Sequence, residues 1–268
     1  MITYLPRKLS LHHSIADVIS KTSLKRRPFP SSCVLSDPTK QKSTVIKVLN
    51  NNKNPFIVKF YFHSIVKGIF RHKDYGLIEY ENYHKALAQG IPTIPPMAYF
   101  RRTIFGLTVA SGLVFHFDKN HCTVEKSLIS NPTGGQELMK QAAQLLSLLA
   151  KLNLNYIDFT PANLLLDIPT KKINLIDFKH LYPLHTNALD YLVVQASHFL
   201  NHISDSPQKG LHQVFTKHLY LKHNAHCSYE EFEKLVKRQM SKGYKNREKR
   251  RNIYNCFLND KWKHCCIG

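Results

Sequence analysis

The sequence predicts an α+β protein of two lobes, a small antiparallel β-sheet N-lobe with one helix and a larger, mainly helical C-lobe. Three observations predict it. Apolar runs with strand-like alternation, punctuated by turn chemistry, crowd residues 43–117; an apolar stripe at helical spacing takes over at 137–152; and the chain past residue 187 reads as helical.

Residues 1–30 read as a basic extension, with Lys25, Arg26 and Arg27 before a Pro-Phe-Pro linker. Ser43–Leu49 reads as a strand, Asn50-Asn-Asn-Lys-Asn-Pro55 as turn chemistry, and Phe56–Phe62 as the returning strand, with Lys59 in its middle. A helix follows over Tyr75–Gln89, closed by Gly90 and the breaker run Ile-Pro-Thr-Ile-Pro-Pro96. Two more strands are expected near Ala98–Ile104 and Leu107–Phe117. Leu138, Ala142, Leu145, Leu149 and Leu152 then recur at steps of 4, 3, 4 and 3, one buried helical stripe. Leu164–Leu166 and Ile173–Ile176 read as short strands around a Pro-Thr-Lys-Lys turn. Ser228, with Glu231 three residues on, resembles a capping box. These elements divide the chain into a basic N-terminal extension (1–30), an N-lobe (31–118), a C-lobe (119–230) and a basic helical tail (231–268).

With 268 residues, of which 43% are hydrophobic and 11% aromatic, the chain is long and apolar enough for a real core, which excludes global disorder, collagen and coiled coil. Against 18 Asp and Glu stand 38 Lys and Arg, a net charge of +20 that calls for an anionic partner: nucleic acid, acidic headgroups or a phosphorylated glycan. Nine of those cations lie between Lys234 and Arg251 against the single Glu248. The most apolar stretch, Phe105–Phe117, is too short to span a bilayer and carries Thr108, Ser111 and His116. The opening residues lack the apolar run of a secretory signal. The six cysteines (Cys33, Cys122, Cys227, Cys256, Cys265, Cys266) form no CxxC pair, so reduced thiols in a cytoplasmic protein are expected. His218, His223 and His226 have no acidic or Cys partner at a ligand-like interval and read as surface or packing residues.

Chemistry concentrates in Tyr156-Ile-Asp-Phe-Thr-Pro-Ala-Asn163 and Ile173-Asn-Leu-Ile-Asp-Phe178. Asp158 is followed five residues later by Asn163, and Asp177 lies 19 positions beyond Asp158. This spacing resembles the protein-kinase catalytic loop, an Asp with a downstream Asn, and the metal-binding Asp-Phe-Gly. The residue types suit phosphoryl transfer. Hard divalent cations want oxygen ligands, which Asp177 and Asn163 supply, and Asp158 is placed to take the proton of an accepting hydroxyl. Upstream, Lys59 follows Ile-Val on a strand, as in Val-Ala-Ile-Lys, and would neutralise nucleotide phosphates while a helix carboxylate holds it. Glu79 and Glu81 both lie on the expected helix, but about 200° apart around it, so only one can face Lys59. Glu79, which shares a face with Tyr83 and Leu87, is the choice.

The stretch Leu77-Ile-Glu-Tyr-Glu-Asn-Tyr-His-Lys-Ala-Leu-Ala-Gln-Gly-Ile-Pro-Thr93 resembles a segment of the bacterial lipopolysaccharide kinase family (Kdo/WaaP type), across about residues 40–200. The resemblance implies a protein-kinase-like fold that uses ATP and Mg²⁺ to phosphorylate a heptose or Kdo hydroxyl of the lipopolysaccharide core. Lipid A would anchor that acceptor at the cytoplasmic face of the inner membrane. The basic tail would then lie on anionic headgroups or on phosphorylated lipid A, each cation near the surface adding about 1 kcal/mol. A sugar acceptor also suits the short interval after Asp177-Phe178, where no Ala-Pro-Glu platform for a peptide follows.

Three departures stand out. Tyr156 takes the place of the usual His, Lys179 that of the usual Gly, and no glycine lies between Cys33 and Val45, where backbone N–H groups would cover the phosphates; Lys40, Lys42 or Ser43 would have to substitute. These departures support the alternative of a weak or inactive kinase-like protein that binds anionic membrane or nucleic acid. A protein kinase effector is a further alternative. Cys265-Cys-Ile-Gly268 superficially resembles a prenylation box but ends in an atypical Gly.

Overall fold

The computed structural model describes residues 2–5, 19, 43–49, 55–62, 74–130, 134–184, 187–203, 210–223 and 227–241. Residues 50–54 of the expected turn, the glycine-free segment up to Lys42, His226, the tail beyond Ser241 and four of the cysteines lie outside them, while Pro55, expected in that turn, begins a strand. The chain divides into two compact units, Met1–Ala88 with Ile94–Lys119, and Gln89–Thr93 with Asn120–Gly268.

Five antiparallel strands build the first unit: β1 (Ile2–Leu5), β2 (Ser43–Leu49), β3 (Pro55–Phe62), β4 (Ala98–Ile104) and β5 (Leu107–His116), in the order β1-β4-β5-β3-β2. Helix α1 (Tyr75–Ala88) packs on one face. The sequence accounts for β2 to β5 and α1 directly, because alternation along β3 sends Phe56, Val58 and Phe60 to one side and Lys59 and Tyr61 to the other. The first side makes a dry core with Ile46, Val48, Ala98, Phe100 and Val114, closed by Ile19. β1 falls in the stretch read as an extension. It pairs with β4, Ile2 opposite Arg102 and Leu5 opposite Tyr99, and so occupies one edge of the sheet.

Two glycines make this packing feasible. Gly112 on β5 stands opposite both Phe60 and Phe100, whose rings meet edge to face at 5.1 Å over it. A Cβ there would lie 2.1 Å from the Lys59 carbonyl oxygen and 2.6 Å from the Phe100 ring. On the opposite face, a Cβ at Gly76 of α1 would come within 2.8 Å of the Gly112 nitrogen, so the helix lies almost against the strand backbone. Asp74 fixes where that helix begins: its Oδ1 accepts from Leu77 N at 3.1 Å, and its Oδ2 from the Tyr99 hydroxyl at 2.5 Å.

The second unit holds β6 (His121–Thr123), α2 (Val124–Ser130), α3 (Gly135–Lys151), β7 (Leu154–Tyr156), β8 (Leu164–Asp167), β9 (Lys172–Leu175), β10 (Leu181–Pro183), α4 (Ala188–Asn201), α5 (Leu211–His223) and α6 (Tyr229–Ser241). The leucine stripe of α3 is buried as its period requires, with Leu138, Ala142, Leu145 and Leu149 all inside. Phe199 of α4 stacks on Phe215 of α5 at 4.8 Å and meets Phe159 at 5.3 Å. Asn187 caps α4 through Leu189 N (2.8 Å), and Ser228 caps α6 through Glu231 N (3.2 Å). Strands β6, β8 and β9 form one small sheet, and β7 pairs with β10 in another. Among the described residues, no helix is long and apolar enough to cross a membrane.

Gly112→Ala is expected to destabilise the first unit by about 3 kcal/mol or more, because both neighbours of the new methyl are fixed by the sheet and the core. Gly134→Ala, where nothing lies within 4 Å, should be close to neutral. Urea denaturation of the two variants side by side checks the contrast.

Candidate active site

Lys59 and Glu79, 20 residues apart, meet in the first unit, with Nζ 2.9 Å from Oε1. Strand alternation points Lys59 at the face that α1 covers, and Glu79 is one helical turn past Gly76, where helix and strand are closest. The Glu79 side chain is wholly buried and that of Lys59 is 10% exposed. The other Glu79 oxygen accepts a short hydrogen bond from the Tyr61 hydroxyl. Lys59 Nζ also lies 5.4 Å from the Tyr61 ring centroid. One buried carboxylate thus holds an ammonium and a phenol together. Tyr61 escaped the sequence reading, although its position two residues from Lys59 on the same strand face was the signal that could have found it.

Asp158, Asn163 and Asp177 belong to the second unit, and the backbone gathers them. The Asn163 amide donates through Nδ2 to the Asp158 carbonyl oxygen at 2.8 Å. Asn163 N bonds to Thr160 O at 3.0 Å in the tight turn Pro161–Asn163. Its carbonyl accepts from Ile176 N at 3.0 Å, extending the β8–β9 pairing by one step to the residue before Asp177. Asp177 itself adopts a left-handed conformation, φ 62° and ψ 58°. For a residue other than Gly this costs on the order of 1 kcal/mol, and Asp is among the side chains that bear it most readily. With Nδ2 committed to the loop, the amide oxygen of Asn163 is the atom a hard cation would take alongside the Asp177 carboxylate. Among the described residues, no three His, Cys, Asp or Glu side chains converge as a metal cluster.

Tyr156, which stands where the related motif has His, is a strut. It is fully buried and donates its hydroxyl to Ile176 O at 2.6 Å. It also donates its N–H to the Tyr191 hydroxyl at 3.2 Å, and packs edge-on against Phe159 and Phe178. Tyr191 was invisible to the sequence reading, being one of many apolar positions on α4. Burial pushes its phenol well above the usual tyrosine range. Beyond Asp177, a turn over Phe178–His180 carries Lys179, and His180 O accepts from Ile157 N at 3.2 Å, tying the loops on either side of the hairpin together. The Pro-rich run after Gly90 is stitched to β9: Leu175 N donates to Pro92 O at 2.9 Å, and Thr93 Oγ1 to Leu175 O at 2.6 Å.

No protein-family model matches this sequence, and no curated protein matches it. Among solved structures, the chain is similar to WaaP in complex with acyl carrier protein, with TM-score 0.52 and 11% identity, over 80% of this chain and 89% of that one. A Toxoplasma gondii specific rhoptry antigen kinase domain aligns at TM-score 0.46 and 9% identity, over 79% and 82% of the two chains, too loosely to add weight. The protein has a kinase-like fold, α+β and two-lobed, with the expected small antiparallel sheet and larger helical part.

Two measurements probe these networks. Glu79→Ala leaves the Lys59 ammonium without its carboxylate and is expected to cost about 3–5 kcal/mol. Lys59→Met with Glu79→Leu should recover most of that, and a double-mutant cycle in urea reads the coupling. Because burial raises the Tyr191 phenol above its unfolded value of about 10, its contribution is complete below pH 10 and is lost as the pH climbs further. Tyr191→Phe should therefore lower stability by about 1–3 kcal/mol at pH 8, where the Tyr156 N–H loses that acceptor, yet show a smaller additional loss between about pH 9 and 11 than the wild type.

Proposed function

We propose that the protein is an ATP- and Mg²⁺-dependent kinase that phosphorylates a sugar hydroxyl, heptose or Kdo, of the lipopolysaccharide core. It would work peripherally on the cytoplasmic face of the inner membrane. The observation that carries this reading is the hydrogen-bonded union of Asp158, Asn163 and the Ile176–Asp177 step, a set of oxygen donors beside a candidate base on a kinase-like fold. The donors fit Mg²⁺, which takes carboxylate and amide oxygens and keeps much of its water.

Asp177 and Asn163 would hold the metal, which when bound offsets negative charge on the phosphates. Asp158 orients the sugar hydroxyl and accepts its proton as that oxygen turns on phosphorus. Lys59 presents its ammonium to the nucleotide phosphates, and Glu79 with Tyr61 keeps the flexible lysine stem from wandering. A sugar acceptor is supported by the short path after Asp177: Phe178–His180, then β10, then α4 from Ala188. Such a path offers little platform for an extended peptide. The tail supports the membrane side of the reading, since Lys234, Lys237 and Arg238 are exposed on α6 while Phe232 and Val236 face inward.

The rival is a kinase-like binding protein without turnover, on anionic membrane or nucleic acid. Its support is the net charge of +20 with Lys179 beside the candidate metal ligands.

Labelled ATP with dephosphorylated lipopolysaccharide should give a product whose phosphate maps by mass to one core sugar. Asp158→Asn and Asp177→Asn are each expected to cut transfer by about 10²–10⁴-fold, with melting midpoints near wild type because Asn keeps the shape of Asp and tolerates the left-handed backbone at 177. Full transfer by Asp177→Asn would overturn the metal assignment. Label on a casein-like protein in place of lipopolysaccharide would favour the effector reading, and no Mg²⁺-dependent ATP protection in a melting assay would favour the rival.

A further inference from the structure

Ile104 and Leu107 pair across a two-residue loop that joins β4 to β5. Both central residues have positive φ, Phe105 at 48° and Gly106 at 77°. Hairpin loops of this kind are dominated by Asn-Gly and Asp-Gly, because the first position must accept a left-handed backbone. Phenylalanine has no polar atom to ease that conformation. Packing does not offset the cost either: Phe105 is 99% exposed. A large aromatic held in an unfavourable backbone and wholly in solvent breaks two local rules, and among the described residues none packs against it. Its surroundings are apolar and basic. Ile104 and Leu107 are half-buried, as is Ile2, which β1 brings opposite Arg102. Arg101 and Arg102 follow the strand alternation and so leave opposite faces of the sheet, three to four residues from the tip and roughly 10 Å along the strand.

We propose that this hairpin is a membrane-contact finger: Phe105 enters the interfacial layer of an anionic bilayer, and Arg101 and Arg102 engage headgroup phosphates. The inference rests on the anionic-membrane partner proposed above and gives it a second contact, on the sheet rather than the tail. A bilayer fits better than a protein partner for two reasons. The tip is a convex point with one fully exposed side chain, far from the about 800 Å² per partner of a standard protein interface. Interfacial binding, by contrast, is built from a single aromatic with nearby cations, since aromatic rings favour the headgroup level and guanidinium groups bind phosphate in a forked geometry. The net charge of +20 supplies the long-range complementarity to an anionic surface.

The test uses the full chain with vesicles of phosphatidylcholine alone or mixed with phosphatidylglycerol. Phe105→Trp in a Trp262→Phe background should blue-shift on anionic vesicles, and lipid-borne bromine should quench it. Phe105→Asn restores the preferred turn sequence, so its melting midpoint should match or exceed wild type, while vesicle affinity falls by about ten- to hundredfold. Arg101→Gln with Arg102→Gln should weaken binding and flatten its salt dependence. An unshifted tryptophan, or Phe105→Asn binding as tightly as wild type, overturns the finger and leaves the tail contact standing. Failure of the wild type to bind any vesicle overturns both membrane contacts without touching phosphoryl transfer, which the ATP assay reads separately. A blue shift with RNA but not with vesicles overturns it in favour of nucleic acid.

Discussion

A buried ion pair orders the first unit. Lys59 and Glu79 share a side of the sheet from which water is largely removed, so neither charge tolerates the loss of the other. Their meeting depends on how closely α1 approaches β5, and that approach depends on Gly76 and Gly112, where any side chain would strike backbone. The aromatic core on the far side of the sheet constrains the same point, since Phe60 and Phe100 close over Gly112. Charge placement and core packing are two faces of one strand arrangement. A change in either shifts both.

The second unit solves a different problem, how to hold two carboxylates and an amide on irregular backbone. It does so with peptide hydrogen bonds and one aromatic strut. Asn163 is bonded through side chain, N–H and carbonyl, and Tyr156 joins the loop to the end of β9 and to α4 at once. The left-handed Asp177 follows directly from this lattice: the chain leaves the β9 pairing at Ile176 and must turn at once into the Phe178–His180 segment. Supports of this kind fix the backbone of all three residues through hydrogen bonds that close within the unit.

Most elements were legible because they rest on local periodicity. The α3 stripe and the alternation of β3 appear in the sequence as they do in the fold, and helical-wheel geometry set Glu79 and Glu81 apart so that one alone meets Lys59; of the two residues expected on the Glu79 face, Tyr83 is buried and Leu87 is exposed. Two things were not legible. β1 has four residues and no alternation that stands out from a basic extension, and only its pairing with β4 defines it. Tyr61 and Tyr191 look like ordinary core aromatics until a distant partner claims their hydroxyls. The expected strands 98–104 and 107–117 already left Phe105 and Gly106 between them, but the exposure of Phe105 and its left-handed backbone emerged only in the fold.

The sequence by itself determined which residue types stand at which spacing: Lys59 on a strand, Glu79 on the following helix, and Asp158, Asn163 and Asp177 around a hairpin. Period and turn chemistry are properties of neighbours along the chain, so they survive without any knowledge of the fold. Tertiary structure alone decided that Glu79 also serves Tyr61, that Tyr156 is a buried strut, and that Asp177 is left-handed. Those outcomes depend on hydrogen bonds and close packing between residues 13 to 35 positions apart, which only the assembled sheet and helices bring together.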